Sequence, residues 1–377
     1  MTDELERRVR ATLADWDRLP EHRTGSAGDH ETAQWLLRQI DANGATARLE
    51  AFPFERRNFG SCWIDLDGHR IEGVPCFDGG RTGKTPLTAE LGRDDGIAVV
   101  TFQPSGSPEL SAARRDGRHA AVVAISAGDP IRPGLAPINA DDYEVPWGPP
   151  VLQIASEHRA RMASAAARHA RAALLIDAAI ERTTAFNVGA EIPGTRPELA
   201  PLVVMTPRSG WWRCTSERGG GIVAFLECVR HFARHRPERT VVFTANTGHE
   251  LGHLGLDAFV ASTPGRFAAA HAWLHLGANF AARGGRVRVQ ASDPSWLDAL
   301  RAELASRSVA CDATPVGTRP FGEARNVFDA GGRYVSILGT NPRFHHPDDR
   351  WPDAVDVDVT VAATIALVDT ADRLARA

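Results

Sequence analysis

Short hydrophobic runs and amphipathic stretches alternate along most of the chain. Runs rich in β-branched and apolar residues, each long enough for a strand buried on both faces, lie at 202–206, 239–245, 272–276 and 334–338. Stretches with helical spacing of apolar residues lie at 222–234, 254–262, 296–306 and 359–376. This alternation predicts an α/β fold with a doubly wound, mostly parallel sheet, which binds ligands at the carboxyl edge of its strands.

The N-terminal segment enters this fold through two helices and a strand. An amphipathic helix is predicted at 2–18, and a second helix ends near residue 40 after a polar turn that begins at His22. Residues 45–54 then alternate between polar and apolar side chains, which predicts a strand.

The segment that follows has a different character. Short strands are predicted at 98–102 and 120–126, separated by turns rich in Gly and Pro. We therefore predict a main α/β domain formed by residues 1–60 and 181–377. A smaller, inserted β-rich domain at 61–180 interrupts it.

Composition narrows the class of protein. The chain has 377 residues, is 43% hydrophobic and 24% charged, and carries a formal net charge of -4, so nothing favours nucleic acid or an anionic membrane as a partner. The N-terminus has no apolar signal region and no long apolar run follows, so we expect a cytoplasmic protein without a membrane partner. The 5 cysteines are scattered and fit reduced thiols. The sequence leaves the oligomeric state open.

The strand at 239–245 ends in a turn that releases chemically active side chains. His249-Glu-Leu-Gly-His253 is an H-E-x-x-H string, which on a helix places two imidazoles one turn apart to hold Zn²⁺, with Glu250 as general base. Gly252 and Gly255 weaken a helix there by about 1 kcal/mol each relative to Ala. A single-metal hydrolase that uses this string therefore stands as one alternative.

The loop after the strand at 202–206 is rich in charge, aromatic rings and glycine. Trp211 and Trp212 are adjacent in a polar loop and are interpreted as a pocket wall. Three consecutive glycines at 219–221 precede the predicted helix at 222–234. They are interpreted as a turn that feeds a helix N-terminus, where an anion can bind.

With the residues in this order, the chain resembles the M28 family of zinc aminopeptidases, including members with a protease-associated domain inserted before the core. The similar blocks are Arg23-Thr-Gly-Ser-Ala-Gly-Asp29, Asn187-Val-Gly-Ala-Glu-Ile-Pro-Gly194, the glycine-rich helix start, Thr247-Gly-His-Glu-Leu-Gly-His-Leu-Gly255 and His345-His-Pro-Asp-Asp349. Each block is moderately specific, and the strength of the resemblance lies in their succession along most of the chain. The resemblance implies a zinc-exopeptidase-like fold built for a pair of zinc ions.

Several positions that hold zinc in the family carry other residues in this chain. The family's first histidine ligand falls on Thr206, and its bridging aspartate falls on Glu217, a longer carboxylate. The later aspartate ligand falls on Gly277, which has no side chain to coordinate a metal. Two close cations need several carboxylate and imidazole ligands to offset dehydration, so we predict a degenerate zinc pair.

Other matched positions keep polar chemistry. The family's general base falls on His249, while Glu250 and His345 match a glutamate and a histidine ligand unchanged. Arg208 and Arg218 enter the same loop, and fixed guanidinium groups can neutralise carboxylates that have lost a metal. Our hypothesis is that Arg208 or Arg218 pairs with Glu217 or Glu250 where the family holds zinc.

These residues define the predicted site and its function. We predict hydrolysis of an amide or peptide-like bond in a small amino-acid-derived substrate, with His249, Glu250 and Glu217 as catalytic residues. The predicted substrate-binding residues are Arg208, Trp211, Trp212, Arg218, Glu323, Arg325 and His345. No cofactor is expected; zinc is the alternative, and a single bound ion would then use Glu217, His249, Glu250 and His345. The remaining alternatives are a catalytically dead pseudo-peptidase that binds small or peptide-like molecules, and a cyclase, acyltransferase or lyase on the same scaffold.

Overall fold

The computed structural model of the protein describes residues 2–127 and 133–376. Its helices are α1 (Thr2–Arg18), α2 (Ala27–Ala42), α3 (Pro108–Arg115), α4 (Arg159–Ala167), α5 (Thr215–Arg234), α6 (Leu254–Ala261), α7 (Arg266–Ala269), α8 (Pro294–Ser306), α9 (Ala324–Asp329) and α10 (Val357–Ala375). Its strands are β1 (Ala47–Leu66), β2 (His69–Glu72), β3 (Val74–Pro75), β4 (Leu87–Glu90), β5 (Ile97–Phe102), β6 (Ala121–Ser126), β7 (Val151–Ile154), β8 (Arg171–Ile192), β9 (Leu202–Pro207), β10 (Val241–Asn246), β11 (Ala272–Leu276), β12 (Val287–Ala291), β13 (Cys311–Ala313) and β14 (Tyr334–Gly339).

The larger sheet follows the order β13-β12-β14-β11-β9-β10-β8-β1-β2, with β4 also paired to β8. Its centre, β14-β11-β9-β10, is parallel and consists of the strands predicted from the short hydrophobic runs. On one side of this centre β12 pairs antiparallel with β14, and on the other side β8 pairs antiparallel with β10. The predicted α/β class with a large, mostly parallel sheet is confirmed.

Helices cover both faces of this sheet. On one face, α1, α2, α5, α8 and α10 contribute apolar side chains to a single large core, for example Trp16, Leu36, Phe225, Leu300 and Leu367. On the other face, α6 and α9 pack over the sheet in a smaller core. Because both faces are covered, the central strands are continuously buried, and this explains why they read as unbroken apolar runs in the sequence.

Strands β1 and β8 are much longer than the sequence pattern predicts. They pair antiparallel from Ala47 opposite Ala190 to Leu66 opposite Ala172. The strand predicted at 45–54 is thus only the first part of β1. The middle of both strands is largely exposed or half-buried, and this weakens the apolar alternation by which a strand is recognised.

The region predicted as an insertion forms a second sheet in the order β3-β7-β6-β5. Apolar residues of β5, β6 and β7 pack with α4 on one face and α3 on the other. The boundaries predicted near residues 60 and 180 lie inside β1 and β8, so the two long strands run from the main sheet into this region. The division into two domains stays a prediction.

The prediction of a glycine-rich turn before α5 is wrong, because the three glycines lie inside that helix. An added Cβ would lie 2.5 Å from Leu13 Cδ2 at Gly219, 2.7 Å from Ala281 Cβ at Gly220 and 2.5 Å from Thr206 Oγ1 at Gly221. Glycine in a helix interior costs about 1 kcal/mol relative to Ala. Here it allows α5 to pack closely against three neighbouring segments, which no local pattern in the sequence reveals.

Candidate functional site

The carboxyl ends of the parallel strands open into a cleft of about 830 Å³ that lies between the two sheets. Ligand crevices in α/β proteins form at this edge. His249 and His253 reach the cleft from the turn after β10, His275 from the end of β11, and Glu323 from the loop before α9. Other side chains that line it include Gln103, Ser126, Asn139, Asp141, Arg288, Phe321, Arg325, Asn341, Phe344 and His346.

Glu323 joins two histidines on the floor of the cleft. Its Oε1 lies 2.5 Å from His249 Nδ1, and its Oε2 lies 3.0 Å from His275 Nε2. The other ring nitrogen of His275, Nδ1, lies 2.8 Å from Ser336 Oγ on the neighbouring strand β14. All of these side chains are buried, and Glu323 is only 3% exposed. The carboxylate is therefore fixed from two sides, and it fixes the ring of His249 in turn.

His253 lies beside His249, although the H-E-x-x-H string does not form the helix expected of it. Residues His249–Leu251 form a single 3₁₀ turn between Gly248 and Gly252, which both have positive φ. His253 itself has a φ of 72°, and its Nδ1 lies 2.8 Å from Asn326 Oδ1. The rings of His249 and His253 nevertheless stack with their centroids 5.2 Å apart. A strained turn thus brings together two imidazoles that a helix would have placed one turn apart.

Burial and neighbouring charges shift the pKa values of His249 and Glu323 in this cluster. Burial, followed by the charge of Arg218, lowers the pKa of His249 to about 4, so the imidazole is neutral near pH 7. Burial acts to raise the pKa of Glu323, but His249 and His253 outweigh this effect and hold that pKa well below its usual value. The pair at neutral pH is therefore a carboxylate next to a neutral imidazole.

Glu250, predicted to be catalytic, does not line the cleft. Its Oε1 accepts a hydrogen bond from the backbone N–H of Thr24 at 2.7 Å, and its Oε2 accepts one from Ser209 Oγ at 2.6 Å. The side chain is completely buried. Both oxygens tie the loop after β9 to the turn before α2, so the role of Glu250 in this structure is to hold loops together.

Arg208 also differs from its predicted role. Its Nη1 donates to Asp29 Oδ1 at 2.6 Å and to the Asp29 carbonyl at 3.0 Å, while Nη2 donates to the Phe186 carbonyl. The guanidinium is fully buried and pairs with a carboxylate of α2. Arg208 does not line the cleft, and it is not the arginine that meets the pairing hypothesis.

Arg218 lies next to Glu217, as the alternative form of the hypothesis requires. The Arg218 Nη2 atom is 2.8 Å from Glu217 Oε1, and His345 Nε2 is 3.5 Å from the same oxygen. Burial acts to raise the pKa of Glu217, but Arg218 and then His345 outweigh it and lower that pKa to about 2. This buried group lies beneath the cleft and does not line it. Glu217, Arg218 and His345 are therefore not positioned to touch a substrate in the cleft.

The tryptophans predicted as a pocket wall are structural. Trp211 is 3% exposed, packs against Phe77 with ring centroids 4.9 Å apart, and donates its Nε1–H to Asn139 Oδ1 at 3.1 Å. Trp212 donates its Nε1–H to the His345 carbonyl at 2.8 Å. Neither ring lines the cleft, because each packs into the seam between loops that support it.

The anion predicted at the N-terminus of the helix is a side chain of the protein. The Asp349 carboxylate accepts the backbone N–H groups of Ser216 at 2.9 Å and Glu217 at 3.0 Å, together with the Ser216 hydroxyl. Orphan N–H groups at a helix start favour a negative charge of this kind. Asp349 therefore occupies the place that the sequence analysis assigned to a ligand.

The positions that match the family's zinc ligands do not fit a zinc pair. Thr206 Oγ1 donates to the Leu276 carbonyl at 2.9 Å, and the Glu217 carboxylate already contacts the guanidinium of Arg218. At Gly277 an added Cβ would lie 2.7 Å from His275 Cε1 and 2.8 Å from the Ile337 carbonyl, so there is no room for an aspartate. With Glu250 also engaged, these residues as placed do not present the ligand set of two cations.

The donors that converge are a different set. Among the described residues, the group whose ligand atoms all lie within 4.8 Å of one another is His249, His253 and Glu323. The set of Glu217, His249, Glu250 and His345 expected for a single ion shares only His249 with it, whereas the H-E-x-x-H alternative supplies both His249 and His253. His275 and Asn326 also belong to this neighbourhood and were not predicted. His275 lies inside the apolar strand β11. Its position next to the last residue of that strand is the feature of the sequence that indicates a place at the carboxyl edge of the sheet.

The fold is similar to that of solved aminopeptidases. A zinc aminopeptidase from Bacillus subtilis superposes with a TM-score of 0.77 at 14% identity, over 97% of this chain and 94% of that one. The peptidase M28 precursor from Shewanella amazonensis also gives a TM-score of 0.77 at 14% identity, over 100% of this chain and 96% of that one. The chain therefore shares the fold of these two proteins.

The sequence also matches a peptidase family over part of its length. The model of peptidase family M28 matches residues 217–358. The vacuolar membrane protease of Laccaria bicolor is 29% identical over 151 residues, which are 37% of this chain and 14% of that protein. The resemblance to peptidase family M28 is therefore confirmed. The chain corresponds to a small part of that curated relative, and within residues 2–127 and 133–376 no helix is long and apolar enough to cross a membrane.

Proposed function

We propose that the protein hydrolyses an amide or peptide-like bond of a small amino-acid-derived substrate in the cleft, with His249 and Glu323 at the reaction centre. The observation that carries this proposal is the hydrogen-bonded chain His249–Glu323–His275–Ser336 on the cleft floor. A base oriented by a buried carboxylate is the arrangement by which proteins activate water or a nucleophile. The M28 relationship favours the amide bond as the target.

In this arrangement His249 accepts a proton from the attacking water. Its Nδ1 is bonded to Glu323, so Nε2 is the nitrogen left for the cleft, and the ring is neutral near pH 7 because its pKa is about 4. Glu323 keeps the ring oriented and stabilises the imidazolium that forms. His275 and Ser336 hold Glu323 in place and act as positioning residues.

The walls of the cleft support the proposed substrate class. Arg288 and Arg325 line the cleft and bring positive charge to it, suited to a carboxylate of an amino-acid derivative. Phe344 and Phe321 add apolar surface, and the Phe321 side chain is 55% exposed at the rim. A small molecule with one carboxylate and one apolar group matches these features.

Turnover of a panel of aminoacyl and peptidyl amides by the purified protein tests this proposal. We expect His249→Ala to lower kcat/KM about 10²- to 10⁴-fold, the usual contribution of a positioned acid–base group. Glu323→Gln removes the charge that orients the ring and should lower kcat while KM changes little. His69→Ala is the matched control, since His69 is exposed on β2, away from the cleft.

Other outcomes contradict the proposal in distinct ways. Unchanged turnover in His249→Ala would remove that residue from the mechanism. Saturable binding of panel compounds by the wild-type protein without turnover would support a pseudo-peptidase. Formation of cyclised, transferred or eliminated products would assign a non-hydrolytic reaction to the same cleft.

A further inference from the structure

We propose that His249, His253 and Glu323 hold a single divalent transition-metal ion, zinc above all, on the floor of the cleft. Two imidazoles and one carboxylate are a ligand set that catalytic zinc sites use, with the fourth position open to water or substrate. The site differs from the zinc pair expected from the resemblance, whose matched positions include neither His253 nor Glu323. The inference deepens the proposed function, on which its catalytic meaning rests.

The three side chains converge. Their ligand atoms lie within 4.8 Å of one another, although the two histidines follow β10 and Glu323 precedes α9. Ligands held at about 2.0–2.2 Å from zinc lie at most about 4.4 Å apart, so small side-chain rotations suffice to enclose an ion. Two stacked histidines, both on a backbone constrained by positive φ at Gly248, Gly252 and His253, reach a carboxylate about 70 positions later in the sequence.

The hydrogen bonds of the two imidazoles fit such a site. His253 Nδ1 lies 2.8 Å from Asn326 Oδ1, and a histidine that donates one ring N–H to an oxygen has its tautomer fixed and its other nitrogen left for an ion. His249 Nδ1 faces Glu323 Oε1, and in the proposed site the ion takes the place of the proton that these two atoms share. Both rings line the cleft.

Glu323 is itself held in place by a neighbouring side chain. His275 Nε2 lies 3.0 Å from Glu323 Oε2, and His275 is itself anchored to Ser336. An ionised carboxylate has about four lone-pair directions, so it can accept these hydrogen bonds and still bind an ion. A bound ion would supply the activation of water that is otherwise assigned to His249.

The direct test is metal content and affinity in untagged protein. The wild-type protein, dialysed against zinc and then against metal-free buffer, should retain roughly one zinc ion per chain. Replacement by Co²⁺ should give the intense visible absorption of a low-coordinate site. Asn326→Ala, which removes the partner of His253 alone, should weaken zinc binding about 10- to 100-fold, and His253→Ala and Glu323→Ala should weaken it more.

Matched variants distinguish this site from the family's positions. Glu217→Gln and His345→Gln alter the buried group beneath the cleft, and His346→Ala removes a histidine from the cleft wall. All three should retain zinc. Thermal unfolding of each variant in the presence of a chelator shows whether it is folded.

The outcomes separate the metal site from the proposed function. Zinc binding that is lost in Glu217→Gln but kept in His253→Ala would overturn the inference, and so would zinc retention at background level. If zinc stays at background level and the protein still turns over amides at a His249-dependent rate, the metal site is wrong and the proposed function stands. If zinc binds as expected and no amide is hydrolysed, the metal site stands and the proposed function fails.

Discussion

Single residues decide which positions of this scaffold are able to bind a ligand. Gly277 stands where the family has an aspartate, and the ring of His275 fills the space that a side chain at Gly277 would need. The same ring holds Glu323. The loss of one carboxylate position and the support of another are therefore physically linked, because one imidazole is responsible for both.

This link predicts the cost of an added methyl group. Gly277→Ala should lower the free energy of unfolding by about 1–3 kcal/mol, because its Cβ would lie 2.7 Å from His275 Cε1 in a packed region. Denaturant unfolding measures the change. Gly60→Ala is the control, since Gly60 is exposed and its nearest neighbour atom would be 3.6 Å away. A loss at Gly277 no larger than at Gly60 would show that the space is not filled as described.

At the scale of helices and strands, the packing of α1 against α2 encloses the side chain of His22. His22 lies between α1 and α2, where its ring centroid is 4.2 Å from that of Trp16 and its Nδ1 is 2.8 Å from Thr32 Oγ1. Burial, followed by the charge of Arg208, lowers the pKa of His22 to about 3. The helix pair is therefore built around a neutral imidazole.

The lowered pKa of His22 predicts how stability depends on pH. The unfolded chain binds a proton at His22 below about pH 6.5, but the folded protein does so only near pH 3, so this contribution to stability is present above pH 6.5 and is lost on acidification. As the pH falls from 6.5 towards 3, the contribution of His22 should lower the free energy of unfolding by about 1.4 kcal/mol for each pH unit. Denaturant unfolding at several pH values should show this slope in the wild type and a shallower one in His22→Gln. An exposed histidine changed in the same way, His30→Gln, should leave the slope intact.

At the scale of the whole molecule, the cleft depends on both sheets. Arg325 on α9 reaches across it, with its Nη2 3.3 Å from Asp141 Oδ1 in the segment that follows β6. This pair is largely exposed, so it contributes little to stability and is available to exchange its carboxylate for one from a substrate.

The exchange predicts a change in substrate affinity. Arg325→Gln should raise KM about tenfold for amides that carry a free carboxylate, with little change for their neutral analogues, because the loss of one charged contact is worth about 1.4 kcal/mol. Steady-state kinetics on matched pairs of substrates measures the difference. Arg319→Gln, which breaks an exposed ion pair with Asp329 outside the cleft lining, is the control. Equal effects on charged and neutral substrates would exclude Arg325 as a carboxylate partner.

The sequence predicts the class of fold better than it predicts the site. Buried parallel strands appear as apolar runs, so the centre of the sheet was predictable, whereas the long, half-exposed strands β1 and β8 were not. The matched zinc positions correctly marked the edge of the sheet that forms the cleft. They could not reveal that Arg208 turns towards Asp29, that Glu250 ties loops together, or that His253 and His275 approach Glu323, because such contacts join residues far apart in the chain.

The central proposal is that the reactive centre lies at His249, His253 and Glu323. These residues differ from the positions that match the zinc ligands of the M28 family. Anomalous diffraction at the zinc absorption edge, from a crystal of the wild-type protein equilibrated with Zn²⁺, tests it most directly. The account predicts a single strong peak in contact with those three side chains. Peaks beside Glu217 and His345, or no peak near the cleft floor, would contradict it.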